Sequence, residues 1–525
     1  MTPSLSSSFH EAMSASIKAY IIGLLTAFVV AVRLLKRNRS RTSLPLPPGP
    51  TPLPLVGNVI GIKTDAPWVT YREWAATYGD LVYSRLLNLD IIIINSEKVA
   101  KELLEHRSHN YSDRAIVSIN KLFGMSTLTA NIGYGDTWRT HRRFLHQAFR
   151  PVAAATHRPT QLRKARDLML NLVETPDQED FPKHLKHLQS FATSTIMSIV
   201  YGYEPLPHND PLVDIVEKAS LDISVTVTPE SAALLVSFPA LQNIPAWFPG
   251  ASFKRNAAIV RKHISDMIEF PFKYVQDEMA RGTATPSMVS DALEGFEKAD
   301  DIDELEAMKG AFATAFVAGA ETTSSVLLVF MLAMVLHPEI QKRAQAEIDN
   351  VTGGDRLPDF EDRSSLPFVE AVFRETLRWH PVIPLGVAHA ATESDVFEGY
   401  SIPKGATIIA NAWAMSRDEA RYPDAEEFRA ERFLTADGAL TDDTVSFAFG
   451  FGRRVCVGRY MADASVWSAM VHFLAIFDLT KPDGVGDFEP KWTTGLGTHP
   501  APFPCRIAPR SPSSARLTEM VRSPV

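Results

Sequence analysis

Apolar positions along the chain recur mostly at the helical period, in long runs parted by short polar or Pro/Gly-rich stretches. Residues 67–78, 97–106 and 367–379 read as helices, and 153–201 as helices joined by loops. The longest helical pattern covers 304–337, and a second long apolar helix covers 461–477. β-branched runs at 81–87 and 91–95, around Asn88-Leu-Asp90, predict a β-hairpin. Residues 399–405 form a turn between short strands, 491–507 fit a final hairpin, and 511–525 read as a disordered tail. A length of 525 residues alone would allow about three domains.

The N-terminal pattern differs. Residues 19–32 are apolar apart from Thr26, and Leu34 and Leu35 extend the run past Arg33. With Lys18 and Arg33 snorkelling, 19–35 suffices for one thin span, the usual need being ~20 residues. Arg33, Lys36, Arg37, Arg39 and Arg41 follow, which puts that flank in the cytosol and 1–18 in the lumen. A cleaved signal peptide would carry its charge on the other flank and a small-residue cleavage site. The expectation is a retained single-pass anchor, a basic and proline-rich hinge over 36–56, and a cytosolic domain. The sequons at Asn38, Asn110 and Asn350 then face away from the lumen and go unused. Residues 311–336 would pass as another span by hydropathy. Their centre reads Glu321-Thr-Thr-Ser-Ser325, too polar for lipid without a purpose, so a buried helix is expected.

Composition narrows the partners. The formal charge is -8 and the pI about 6.0, which argues against nucleic acid. Two cysteines, Cys456 and Cys505, allow one disulfide, and no CxxC or HExxH pattern occurs.

The candidate chemistry centres on Phe449-Gly-Phe-Gly-Arg-Arg-Val-Cys456-Val-Gly458. Gly450, Gly452 and Gly458 permit φ > 0 and close approach of backbone to a flat ligand. Backbone N–H groups of the turn and of the following helix, with Arg453 and Arg454, would lower the thiol pKa. A thiolate ringed by N–H donors is a good axial ligand for haem iron; a buried structural cysteine in a Gly-rich loop is the plainer alternative.

Phe449, Gly452, Arg454, Cys456 and Gly458 match the Phe-x-x-Gly-x-Arg-x-Cys-x-Gly signature of the cytochrome P-450 family, and the chain resembles that family from about residue 45 to 510. The resemblance implies the cytochrome P-450 fold, one mainly α domain with small β-sheets over 57–510 rather than three domains, with haem b as cofactor, Cys456 as metal ligand, Arg454 paired with a propionate and Phe449 packed by the sulfur. In the family a Trp-x-x-x-Arg pair bonds a propionate, here Trp138 and Arg142 in the helix opened by Gly135-Asp-Thr, where Asp136 or Thr137 can cap. His389 is the candidate for the second propionate; a structural histidine is the alternative. Ala318-Gly-Ala-Glu321-Thr322 matches the dioxygen-activating helix motif. Gly319 would leave room for dioxygen, the threonine hydroxyl would return to an upstream carbonyl, and Glu321 and Thr322 would deliver protons. Glu375-Thr-Leu-Arg378 and Arg432 of Glu431-Arg-Phe would form a buried structural network, although Ala430 stands where the family often has proline.

Function follows from the same resemblance: a haem monooxygenase inserting one atom of dioxygen into a lipophilic small molecule. No flavin or nicotinamide fingerprint is present, so electrons would come from NADPH through a separate diflavin reductase. Arg139, Arg143 and Arg150 would offer that acidic partner a positive dock, or form a merely solvated basic face. The layout resembles endoplasmic-reticulum members, and Pro245-Ala-Trp-Phe-Pro-Gly250 with residues 494–504 looks most like fungal members that decorate secondary metabolites, with terpenoid-like scaffolds as the substrate class. Trp247 and Phe248 suit an entrance or membrane-contacting lip, or else core, and the Thr494-Gly-Leu-Gly497 turn could touch substrate. The alternatives are an isomerase, dehydratase or peroxygenase needing no reductase, a non-catalytic haem-binding protein, and an anchored structural protein without haem.

Overall fold

The computed structural model describes residues 44–510 except 116, 176, 207–209, 227–228 and 297–301, together with Glu519. The expected lumenal segment, the 19–35 anchor, the start of the hinge and nearly all of the 511–525 tail lie outside the described residues.

Helices dominate. The centre is the 35-residue helix Ile302–Leu336, which packs chiefly on Phe181–Tyr201, Asp136–Phe149 and Arg459–Ile476. It is long and apolar enough to cross a membrane, yet 72% of its most apolar window is buried inside the protein. Its length therefore serves a core. Val326 to Val335 are all buried, and all but Val329 belong to one hydrophobic cluster with Trp467, Phe473 and Phe447. A second cluster, around Phe144, Phe312 and Phe316, lies at the other end.

The sheets are small and lateral. Leu81–Leu86 and Leu89–Ile94 form the antiparallel hairpin, which pairs in parallel with Thr407–Ala410, itself antiparallel to His389–Ala390. Asp395–Phe397 with Tyr400–Ile402, and Phe477–Thr480 with Arg506–Pro509, complete the strands. The expected 491–507 hairpin is reduced to one bridge, Trp492 to Pro500, because the last strand pairs with Phe477–Thr480 instead. The proline-rich hinge lies flat on the first strand, where Tyr83 N donates to Pro48 O at 2.9 Å. A Cβ on Gly49 would sit 1.9 Å from Tyr83 O, so only glycine lets the two backbones meet.

One local signal was over-read: the Asp136–Phe149 helix has Gly135 at its N-cap and no side-chain cap, and Asp136 pairs with Arg139 instead. Residues 229–243 form the helix Pro229–Ser237 and a 3-10 turn, Pro239–Asn243. Trp247 is 79% exposed and Phe248 45%, which excludes the core reading of that segment.

Candidate functional site

The cysteine loop is built as a tight double turn. Gly450 and Gly452 have φ of 74° and 57°, and a Cβ on Gly452 would lie 1.8 Å from Leu104 O. The turn therefore closes against the backbone of residues 104–105. Gly458 has an ordinary φ of -84°; it is the N-cap of Arg459–Ile476 rather than a left-handed residue. Cys456 N donates to Phe449 O at 2.8 Å, fixing Phe449 beside the cysteine. Cys456 is enclosed by protein on all sides, yet its side chain remains accessible, as on the wall of an internal space.

Burial pushes the Cys456 thiol up, and the Gly458 amide, Arg142 and Arg459 pull it back. The charges acting on the sulfur are thus not Arg453 and Arg454. Arg453 bonds Tyr134 Oη. Arg454 turns away to Ser112 O (2.8 Å), Ile132 O (2.7 Å) and Thr129 O (3.3 Å), with its guanidinium 4.6 Å from the Trp138 ring. Arg142, one helical turn beyond Trp138, donates to Val455 O at 2.7 Å and ties its helix to the cysteine loop.

Beside this loop sits a group of buried cations. Arg114, which the sequence reading missed, donates to Ala130 O (2.7 Å), Val387 O (2.7 Å) and Ala388 O (2.8 Å). Burial, then the charge of Arg454, lowers its pKa to about 9. Burial lowers Arg454 to about 10. His389 is brought low, to about 3, by burial and by Arg114 and Arg454. Its Nδ1 lies 2.7 Å from Tyr111 O, so Nδ1 carries the proton and Nε2 is left as an acceptor. Arg114, Arg142 and Arg454 have no carboxylate within ion-pair distance among the described residues; Asp113 acts on Arg114 and Arg454 from further away. A lone arginine between Asp and a polar loop carried no sequence signal for this.

The central helix carries the polar stretch and packs both on the Asp136–Phe149 helix of Arg142 and on the Arg459–Ile476 helix that follows Cys456. Val457 shares a hydrophobic cluster with Ala315, Val317 and Ala320. Ala318 and Glu321 are exposed in the half-buried middle of the helix, ahead of the buried run 323–335. Thr322 Oγ1 donates to Ala318 O at 2.7 Å. Gly319 does not open space on this face: its missing side chain points at Ile196, whose Cγ1 would be 3.0 Å from a Cβ. The glycine permits helix–helix packing there. Gly497 comes from the opposite side, where a Cβ would lie 3.6 Å from both Glu321 Oε1 and Ile383 Cδ1. The Thr494 to Gly497 turn therefore shares Glu321's surroundings.

Away from these groups, Glu375 and Arg378 are wholly buried and joined by two bonds, 2.6 and 2.8 Å. Arg432 Nε adds a third to Glu375 at 3.1 Å.

A family profile described as cytochrome P-450 matches residues 47–505. The chain belongs to the cytochrome P-450 family. It is 40% identical over 468 residues to the cytochrome P-450 monooxygenase ple1 of Rhodocybe pseudopiperita, covering 87% of this chain and 88% of that one. It is 36% identical over 510 residues to the cytochrome P-450 monooxygenase claR of Ampulloclitocybe clavipes, covering 95% and 92%. A cytochrome P-450 monooxygenase of Armillaria gallica is 38% identical over 473 residues, covering 88% and 91%. This cytochrome P-450 is accordingly an oxidoreductase, a monooxygenase of the haem- and dioxygen-using kind. Its residues fit that cofactor: an accessible sulfur on an internal wall with an amide donor, and buried arginines lacking acidic counter-ions, as an anionic group would require.

Proposed function

We propose that this protein is an endoplasmic-reticulum monooxygenase, anchored by 19–35 with its catalytic domain in the cytosol, that hydroxylates a lipophilic, terpenoid-like intermediate of fungal secondary metabolism. Electrons come from NADPH through the separate diflavin reductase. The observation that supports the catalytic reading is the accessible Cys456 side chain beside the Gly458 amide, Arg142 and Arg459, on a loop whose Arg454 has no carboxylate within ion-pair distance among the described residues. The monooxygenases of Rhodocybe pseudopiperita, Ampulloclitocybe clavipes and Armillaria gallica to which it is similar support the fungal part of this reading.

Bound haem would supply dioxygen activation, and Cys456 would hold its iron. The protein's residues do the rest. The Gly458 amide donates to the Cys456 sulfur, and Arg142 and Arg459 favour its anionic form against the cost of burial. Arg454 and Arg114, pinned by backbone carbonyls, present positive charge to the propionates at no reorganisation cost. Trp138 stacks on Arg454 and holds it flat. His389 joins them as a donor through Nε2 once a propionate raises its pKa. Thr322, held to Ala318 O, keeps its hydroxyl oxygen as an acceptor facing the internal space, and Glu321 beside it exchanges protons with solvent. Glu375, Arg378 and Arg432 hold the core and touch no substrate.

The test is the absorbance difference spectrum of the reduced protein with and without carbon monoxide, on wild type and Cys456→Ala. A Soret band at the thiolate position, lost in the variant, is the expected result. Folded wild type without a haem signal would overturn the reading, and a band at the histidine-ligated position would remove Cys456 from its role.

A further inference from the structure

The segment that meets Glu321 is a turn with little ladder to hold it. Its root is closed by the Trp492–Pro500 bridge, by Ala501 N donating to Lys491 O at 2.8 Å and by Thr493 N donating to His499 O at 2.9 Å. Beyond that root, 494–498 carries two glycines, Gly495 has φ of 121°, and Leu496 is 65% exposed. Such a tip has many accessible conformations unless side chains fix it. Its position matters, because Gly497 is the part that faces Glu321 and Ile383.

One residue outside the turn supplies that hold. His380 follows directly on the helix Pro367–Trp379 and is buried. Its ring lies flat on Trp492, with centroids 3.5 Å apart and an interplanar angle of 4°, and meets Trp413 edge-on at 5.2 Å. Its Nε2 lies 2.9 Å from Oγ1 of the wholly buried Thr498. The stack thus secures the entry to the turn, and the hydrogen bond secures its exit. Thr498 N also donates to Val382 O at 2.8 Å. These contacts close a small ring: from His380 along the chain to Ile383, across to Gly497, on to Thr498 and back to His380.

Packing alone does not explain a histidine here. Nδ1 is buried with no hydrogen bond among the described residues, a cost that phenylalanine would avoid on the same stack. Burial, then the charges of Arg417 and His499, disfavours the protonated ring. A neutral imidazole bonds the Thr498 hydroxyl through Nε2 in either tautomer. What histidine adds over phenylalanine is that directional bond.

We infer that His380 is a positioning residue for the oxygenation: through Trp492 and Thr498 it holds the 494–498 turn against Ile383, and so fixes one wall of the space beside Glu321. This role rests on the monooxygenase reading of Glu321 and Thr322 above. Substrate in that space is aimed by the shape of the wall; His380 itself, on the far side of the turn's root, touches none of it. A turn released from His380 keeps its root, but its tip samples positions nearer to and further from Glu321.

The experiment uses the haem-loaded full chain as wild type, Thr498→Val, His380→Phe and Thr498→Ser. The first two variants each remove the bond and keep the shape; the third keeps the hydroxyl. Soret shifts titrate imidazole, small enough to reach the iron alone, and clotrimazole, whose triaryl group extends to the walls. Loss of the bond is expected to weaken clotrimazole about fivefold or more while imidazole stays within about twofold, and Thr498→Ser is expected to bind clotrimazole as wild type does. Backbone amide exchange over 493–499, measured without ligand, is expected to quicken about tenfold or more in Thr498→Val and His380→Phe, and to stay unchanged in Thr498→Ser. Undiminished clotrimazole binding in both bond-less variants would overturn the positioning role, and unchanged amide exchange in both would overturn the hold on the turn. Equal weakening of imidazole and clotrimazole, or no recovery in Thr498→Ser, would reduce His380 to a general structural residue. Failure of the haem reading would show separately, as no imidazole shift in wild type; it would remove the oxygenation from the inference, and amide exchange would still decide whether His380 holds the turn.

Discussion

Replacing Glu375 by glutamine should destabilise this protein from a position that touches no reacting group. Glu375 is fully buried and accepts four hydrogen bonds: from Arg378 Nε (2.6 Å) and Nη2 (2.8 Å), Arg429 N (2.7 Å) and Arg432 Nε (3.1 Å). Three of them converge on Oε1, so the glutamine carbonyl takes that place. Its amide then faces the Arg378 Nε–H, donor against donor, across 2.6 Å. One charge-assisted bond, worth about 1.5–3 kcal/mol, is lost. Arg378, itself wholly buried, also loses its counter-charge, and breaking a buried pair from one side costs about 3–5 kcal/mol in all. At about 2 °C per kcal/mol, the value for larger domains, the melting temperature should fall by about 6–10 °C. Thermal unfolding followed by circular dichroism and by the Soret band measures it. Glu431→Gln is the control: its partner Arg343 is half-exposed, and such pairs contribute about 0–1 kcal/mol. A Glu375→Gln variant that melts within 2 °C of wild type would refute the reasoning.

Three further outcomes are expected. Gly452→Ala should yield protein largely without haem, because φ of 57° alone costs a non-glycine residue about 1–2 kcal/mol and its Cβ meets Leu104 O at 1.8 Å; the haem-to-protein absorbance ratio reads it. Thr322→Val should fold and bind haem normally but lower product formation by about 10²-fold at unchanged electron consumption, seen as NADPH oxidised without product. Acid should destabilise the fold early: burial holds His141, His184 and His472 at about 4 and His389 at about 3, and His380 well below its ordinary value. The unfolded chain binds these protons first, so stability is full above about pH 6.5 and falls towards pH 4, by about 2 kcal/mol at pH 5 for each of His141, His184 and His472. A melting temperature that stays flat from pH 7.5 to 5 would contradict this.

Hydrophobic periodicity and a few short motifs were enough to determine the mainly helical class, the long central helix, the hairpin and the spacing that joins Cys456 to its helix. These are local properties: a period, a glycine-bearing turn and a helix start are each written in consecutive residues. The polar centre of Ile302–Leu336 likewise excluded a lipid-facing helix before any packing was known. Tertiary structure decided which charges act on which atoms. Arg453 and Arg454 adjoin Cys456 in sequence, but the double turn aims them at Tyr134 and at carbonyls of 112–132, while Arg142, over 300 positions away, reaches Val455. It also recruited Arg114, gave Gly319 a packing role against Ile196, and set Gly497 beside Glu321. Electrostatic and steric partners depend on distance through space, and a linear chain specifies that distance only after its helices have packed.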